Sequence, residues 1–129
     1  MTAFVDTNVL VAAVTTDTDR SDEAIELLNE LEDGHTSILN VMELRSVLTK
    51  KKRFDQERVD DIETKIARKM TVTFPDASDI VAANQLQSET LLYPMDALII
   101  AVAESTGKPL VSFDTELLEH GAVEPAAFL

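Results

Sequence analysis

With 129 residues, the chain is long enough for one domain, residues 1–129, with a single sizeable core. It has no cysteine, which excludes disulfides and thiolate metal sites and predicts a reducing, cytoplasmic location. A formal net charge of −13 is typical of a protein repelled by nucleic acid over most of its surface, or of a halophilic protein. No signal peptide is readable and the longest apolar run, 97–103, is too short to cross a bilayer, so no membrane partner is expected.

Strand-like and helix-like patterns alternate along the chain. Runs rich in β-branched and apolar residues predict strands at 2–5, 36–39, 71–74 and 109–113. Helical periodicity lies between the first three of these, and Gly34 is interpreted as a helix stop signal. A last, mostly apolar helix should run from about Pro94 to Thr106 and be the most buried. This alternation predicts an α/β fold with a mainly parallel sheet.

Four acidic residues are expected at one edge of this sheet, where α/β proteins bind ligands. Asp6 follows the first strand, Asp114 follows the last, and Glu43 and Asp96 lie in the opening turns of two helices. Taken singly, Asp6 and Asp114 could be helix N-caps, Glu43 could form a capping box with Asn40, and Asp96 could complement a helix dipole. Together they would repel each other unless a cation lies among them, and carboxylates suit Mg²⁺ or Mn²⁺.

The segments around these acids resemble the four acidic motifs of PIN-domain nucleases. They read FVDTNVLV, NVMELRSVL, PMDALIIAVA and LVSFDTELL, and they follow the order and spacing of that family over nearly the whole chain. Within the family, the small single-domain form resembles the VapC toxins of type II toxin–antitoxin pairs. The resemblance implies a three-layer α/β/α fold, with helices flanking a central, mainly parallel sheet, and a Mg²⁺- or Mn²⁺-dependent endoribonuclease.

The resemblance also implies roles for individual residues. The catalytic acids would be Asp6, Glu43, Asp96 and Asp114. Of these, Asp6, Asp96 and Asp114 would be metal ligands, and Glu43 would hold or deprotonate the attacking water. Ser112 occupies the usual Ser/Thr position of the family. The remaining supporting residues would be Thr7, Asn8 and Glu116, of which Thr7 and Asn8 are expected mainly to cap the first helix.

Basic residues are concentrated in one segment. Nine of the eleven lie between positions 45 and 69, which gives this segment a net charge of +4 and the remainder −17. The segment could contact an RNA backbone, or it could be a solvated helix surface with acidic partners, such as Asp61 for Lys65. The candidate RNA-binding residues are Arg45, Lys50, Lys51, Lys52 and Arg53.

Partners and alternatives follow from the same interpretation. The resemblance implies an RNA substrate, a small antitoxin whose tail enters the acidic site, and a homodimer. The alternatives are a free-standing PIN protein in RNA processing and a PIN domain that binds RNA or a partner without cutting. A receiver-like phospho-acceptor domain is a remote alternative, because Lys108 precedes a strand instead of following one. His35 and His120 are expected in exposed loops, so a two-histidine ribonuclease mechanism is not favoured.

Overall fold

The computed structural model describes residues 1–16 and 18–129. The strands are β1 (Thr2–Val5), β2 (Asp33–Ser37), β3 (Thr71–Thr73) and β4 (Leu110–Val111). The helices are α1 (Thr7–Thr15), α2 (Ser21–Glu30), α3 (Ile38–Lys50), α4 (Gln56–Lys69), α5 (Ala77–Glu89), α6 (Pro94–Thr106) and α7 (Thr115–Leu118). A 3₁₀ helix follows at Pro125–Phe128. No helix within these described ranges is both long and apolar enough to cross a membrane.

The four strands form one parallel sheet in the order β3-β2-β1-β4. The central strand β1 pairs with β2 and β4, so that Phe4 lies opposite both His35 and Leu110. Parallel strands end on the same side of a sheet, and the segments that follow β1, β2 and β4 therefore meet at one edge. The predicted parallel α/β fold is confirmed.

Apolar side chains of β1 divide between two cores, because successive residues of a strand point to opposite faces. Ala3 and Val5 belong to the core formed with α1, α2, α3 and α4, whereas Phe4 belongs to the core formed with α5, α6 and α7. Helix α6 is the most buried, with Ala97 and the run 99–103 inside. The expected three-layer α/β/α arrangement is confirmed, and so is the buried helix.

The second strand differs from its predicted bounds of 36–39. Ser37 caps α3 and forms a capping box with Asn40, so the helix begins at Ile38 and takes the apolar residues that the prediction gave to the strand. Glu43 is therefore not the capping partner of Asn40, and it lies in the second turn of α3 instead of the first.

Other local predictions were also wrong. Gly34 does not stop a helix: it lies in β2, where an added Cβ would approach Leu31 and Met70 to 3.3 Å. His35 also lies in β2, with its side chain 16% exposed, whereas His120 is exposed after α7. The third and fourth strands are shorter than the ranges 71–74 and 109–113. Helix α5 was not predicted at all.

Candidate active site

Asp6 is buried at the carboxyl end of β1, where it is the N-cap of α1. Its Oδ1 accepts hydrogen bonds from the backbone N–H of Thr7 at 2.8 Å and from Nδ2 of Asn40 at 3.0 Å. Its Oδ2 accepts a hydrogen bond from Oγ of Ser112 at 2.7 Å. Donors from α1, α3 and the segment after β4 thus fix the orientation of this carboxylate.

Thr7 and Asn8 connect the site to its neighbours and do not cap α1, so that part of the prediction was wrong. Oγ1 of Thr7 accepts a hydrogen bond from Nδ2 of Asn40 at 3.0 Å. Oδ1 of Asn8 accepts a hydrogen bond from the backbone N–H of Phe113 at 3.1 Å, and its Nδ2 donates to Oγ of Ser112 at 3.2 Å. These contacts join the start of α1 to α3 and to the segment after β4.

Ser112 links two of the acids. Its side chain is fully buried. The hydroxyl group donates a hydrogen bond to Oδ2 of Asp6 and accepts one from the backbone N–H of Asp114 at 3.0 Å. Asp114 is the N-cap of α7, and its Oδ1 accepts the backbone N–H of Glu116 at 2.9 Å. The expected capping role of Asp114 is therefore present together with its position beside Asp6.

Electrostatic repulsion shows that the acids lie close together. The pKa of Asp6 is raised to about 6, first by burial and then by the charges of Glu43 and Asp114, against the lowering effect of the hydrogen bonds from Ser112 and Thr7. The pKa of Asp96, in the first turn of α6, is also raised, first by burial and then by the charges of Asp114, Glu116 and Glu43. The fold thus brings Glu43 and Asp114 within electrostatic range of both Asp6 and Asp96, and Glu116 within range of Asp96.

The donor set of this cluster can be compared with what a metal requires. Among the described residues, no three His, Cys, Asp or Glu side chains are close enough together to form a metal cage. Mg²⁺ characteristically uses one or two carboxylates and retains several waters, so it does not require such a cage. Asp6 and Asp96 have raised pKa values with negative charges near them, and a divalent cation would neutralise such carboxylates, so the cluster fits Mg²⁺ or Mn²⁺ in this respect.

The predicted RNA-binding residues separate into two groups. The Arg45 guanidinium donates to Asp60 at 2.8 Å and also to Glu63 and Gln56, so it joins α3 to α4. Lys50 and Lys51 instead line a groove that also contains Glu43. Lys52 and Arg53 follow in the connector between α3 and α4.

Asn40 is a residue of the candidate site that the sequence analysis did not identify as such. Its side chain is fully buried and donates both to Asp6 and to Thr7, while its Oδ1 accepts the backbone N–H of Ser37. The available signal was a polar residue on the otherwise apolar face of Val41, Leu44 and Leu48, which had been interpreted only as a capping partner.

A family comparison identifies this architecture. The PIN domain family model matches residues 3–123 of the chain. The chain therefore belongs to the PIN domain family. A comparison with curated protein sequences gave no match.

Solved structures with the same fold include toxin–antitoxin proteins. A chain of a toxin–antitoxin complex from Klebsiella pneumoniae is 23% identical, with a TM-score of 0.74 over 95% of this chain and 97% of that one. VapC20 from Mycobacterium tuberculosis, a sarcin–ricin loop cleaving toxin, is 21% identical, with a TM-score of 0.79 over 95% of this chain and 97% of VapC20. VapBC2 from Rickettsia felis, bound to a DNA fragment from its promoter, is 18% identical, with a TM-score of 0.73 over 96% and 97%. At these identities, the likeness establishes the fold.

Proposed function

We propose that this PIN domain is a Mg²⁺- or Mn²⁺-dependent endoribonuclease that hydrolyses RNA phosphodiester bonds at Asp6, Glu43, Asp96 and Asp114. The observation that carries the proposal is the position of these acids at the carboxyl edge of the sheet, where the charges of Glu43 and Asp114 act on both Asp6 and Asp96. A buried carboxylate with a raised pKa and other acids around it, such as Asp6, is typical of active sites. Their positions coincide with the four acidic motifs by which the sequence resembles PIN-domain nucleases.

Asp6 and Asp96 would be the principal metal ligands, with Asp114 as a third, directly or through water. When bound, the divalent cation lowers the pKa of water and neutralises charge on the phosphoryl oxygens. The three hydrogen bonds to Asp6 prevent its carboxylate from rotating, as partners behind a metal ligand commonly do. Ser112 supports both Asp6 and Asp114, so one hydroxyl aligns two of the proposed ligands.

Glu43 would hold the attacking water and accept its proton. Its side chain is exposed and receives no hydrogen bond from the part of the chain that the structure describes, so its oxygens are open to water. The phosphoryl group would lie between Glu43 and the carboxylates of Asp6 and Asp96. In this arrangement the buried Asp6 would bind the metal, and the exposed Glu43 would accept the proton.

We propose further that the chain is the toxin of a toxin–antitoxin pair and forms a homodimer. The support is its likeness to the toxin VapC20 of Mycobacterium tuberculosis and to chains of the toxin–antitoxin complex of Klebsiella pneumoniae and of VapBC2 from Rickettsia felis. The antitoxin would be a small protein with a basic tail, because positive charge near the four acids would neutralise the site. Charge outside the segment 45–69 is −17, which favours a basic partner.

The test is RNA cleavage by the purified chain with Mg²⁺ or Mn²⁺, using structured RNAs that include a sarcin–ricin loop oligonucleotide. We expect cleavage that stops in EDTA. Asp96→Asn should reduce the rate by more than about 100-fold, since loss of even an outer partner of a metal ligand typically costs 10- to 100-fold. The matched control is Glu104→Gln, at the other end of α6, which should cleave at the wild-type rate.

Two results would contradict the proposal. Undiminished cleavage in EDTA would exclude a metal-dependent reaction, and wild-type cleavage by Asp96→Asn would exclude this set of acids. RNA binding without cleavage, at every metal concentration tested, would favour the non-cleaving alternative.

A further inference from the structure

We propose that the exposed face of α3 and the connector 51–55 form a binding subsite for the RNA backbone, adjoining the acidic site. This inference rests on the proposed ribonuclease function and deepens it, because it specifies where the substrate strand lies beyond the scissile phosphate. The ligand is a phosphodiester chain, recognised by charge and independently of base sequence.

A groove along α3 joins one of the four acids, Glu43, to two lysines. It has a volume of about 430 Å³ and is lined by Glu43, Ser46, Val47, Lys50 and Lys51. In an α-helix, positions 43, 46, 47 and 50 share one face, and Glu43 and Lys50 are two turns, or about 10 Å, apart along the axis. A strand whose scissile phosphate lies at the acids can therefore follow α3 and bring its next phosphates to the lysines.

The lysines in this groove are available to an external anion. Lys50 and Lys51 are exposed, and no described residue forms a hydrogen bond or an ion pair with either of them. Arg45, one turn earlier on α3, is occupied instead by Asp60, Glu63 and Gln56 of α4. Lys50 also complements the C-terminal dipole of α3, and its side chain remains exposed in that role.

The conformation of Arg53 sets the course of the connector after α3. This residue is exposed and has a φ of 59°, in the left-handed region that residues other than glycine rarely adopt. The backbone is held on its C-terminal side by the hydrogen bond from the Phe54 N–H to the Leu48 carbonyl at 2.9 Å. A left-handed residue is a common way to end a helix, and here it keeps the connector 51–55 close to the end of α3.

RNA is favoured over an acidic protein segment as the occupant. The groove starts at Glu43, beside the carboxylates where the scissile phosphate has to bind, so a substrate strand is the ligand that must pass through it. Lysine is a point charge that pairs with phosphate oxygens without demanding one geometry. A flexible strand can satisfy Lys50 and Lys51 in this way without base-specific contacts.

The experiment measures binding of a fluorescein-labelled single-stranded RNA of 12 nucleotides by fluorescence anisotropy at several KCl concentrations. All proteins are the full chain carrying Asp6→Asn, so that the RNA survives. The test variant adds Lys50→Gln and Lys51→Gln. The matched control adds Arg68→Gln and Lys69→Gln, which removes the same charge from the C-terminus of α4, outside the groove.

Loss of two phosphate contacts should lower the slope of log affinity against log salt by about 1.4, since each contact to a single strand contributes about 0.7. The ratio of the RNA affinity of the Asp6→Asn protein to that of the Lys50/Lys51 variant should then fall about sevenfold between 50 and 200 mM KCl. The control should keep the parent slope and affinity.

Equal weakening by both pairs would overturn the subsite and leave only general electrostatic attraction. A polyglutamate peptide that competes as well as unlabelled RNA would also overturn it, because the groove would then accept any polyanion. Wild-type protein is assayed for cleavage in parallel. Absence of cleavage reports failure of the proposed function, whereas cleavage together with unchanged binding by the Lys50/Lys51 variant reports failure of the subsite alone.

Discussion

The pKa values of carboxylates are shifted in opposite directions at the two ends of the sheet. At the amino end, Asp33 begins β2 and pairs with Nε2 of His35 at 3.0 Å and with Nζ of Lys108 at 3.4 Å. Burial acts to raise the pKa of Asp33, but these two partners outweigh it and hold the pKa below its ordinary value. At the carboxyl end, Asp6 and Asp96 face other carboxylates, and burial and repulsion raise their pKa values.

The difference distinguishes a carboxylate that has counter-charges within the chain, Asp33, from carboxylates that have none among the described residues. An exposed, paired carboxylate such as Asp33 adds a little to stability and needs nothing from outside the chain. Unpaired carboxylates near Asp6 lower the stability of the metal-free fold and gain their counter-charge only from a ligand. Within the described residues, no lysine, arginine or histidine forms an ion pair with Asp6, Asp96 or Asp114. The comparison therefore predicts opposite responses when a carboxylate at each end is neutralised.

The largest expected effect in this comparison is the response of stability to pH. Because the folded-state pKa of Asp6 is raised from 3.8 to about 6, the folded protein binds more protons than the unfolded chain between these values. Stability should fall as pH rises from about 4 to about 6, and the cost at neutral pH is roughly 3 kcal/mol. Asp6→Asn should recover most of this stability at pH 8 in EDTA, and little at pH 4, as measured by urea unfolding.

Asp33→Asn is the control with the opposite sign. The lowered pKa of Asp33 contributes stability that is present above pH 3.8 and is lost as pH falls through the folded-state value. Neutralising it should therefore destabilise the protein at pH 8 and cost progressively less in acid. If Asp6→Asn and Asp33→Asn shifted stability in the same direction at pH 8, the contrast between the two ends of the sheet would be wrong.

The next effect concerns the amide that orients Asp6. Asn40→Ala removes hydrogen bonds to Asp6 and Thr7 and leaves the Ser37 N–H without its side-chain acceptor, which should cost about 2 kcal/mol. It should also weaken Mn²⁺ binding, measured by calorimetry on the folded protein, by about 10- to 100-fold. Asn84→Ala on the exposed face of α5 controls for the change in helix propensity. Unchanged Mn²⁺ affinity in Asn40→Ala would reduce Asn40 to a purely structural role.

Features that depend on a residue pattern along the chain, such as the parallel sheet, could be predicted from the sequence. Features that depend on a contact between residues far apart in the chain could not. Strand–helix alternation and the placement of acids after strands were sufficient for the parallel sheet and for the edge at which Asp6 and Asp114 lie. Helix α5 was not predicted because its apolar residues do not form one stripe. Ile80 and Val81 are exposed, whereas Ala83 is buried. The role of Asn40 depends on a donor–acceptor pair 34 residues apart, between Nδ2 of Asn40 and Oδ1 of Asp6, which no local pattern encodes.

The smallest expected effect per residue is that of salt on the melting temperature. Salt screens repulsion between charges but not the cost of burying a charge, so it distinguishes these two causes of instability. Raising KCl from 0.1 to 1 M shortens the screening length from about 10 Å to about 3 Å. For a chain of net charge −13, this relieves self-repulsion, so the melting temperature should rise, as expected for a halophilic protein. A melting temperature that is flat in KCl would contradict the halophilic interpretation.

The comparison between the two ends of the sheet makes this salt prediction more specific. Burial is the first cause of the raised pKa of Asp6, and salt does not screen burial, so the extra stability of Asp6→Asn should largely persist in 1 M KCl. Exposed charges contribute less than about 1 kcal/mol each, and 1 M KCl screens most of that. The difference between wild type and Glu43→Gln should therefore disappear at high salt. Thermal unfolding of both variants in 0.1 and 1 M KCl measures this, and loss of the Asp6→Asn difference at 1 M would mean that neighbouring charges, and not burial, dominate at Asp6.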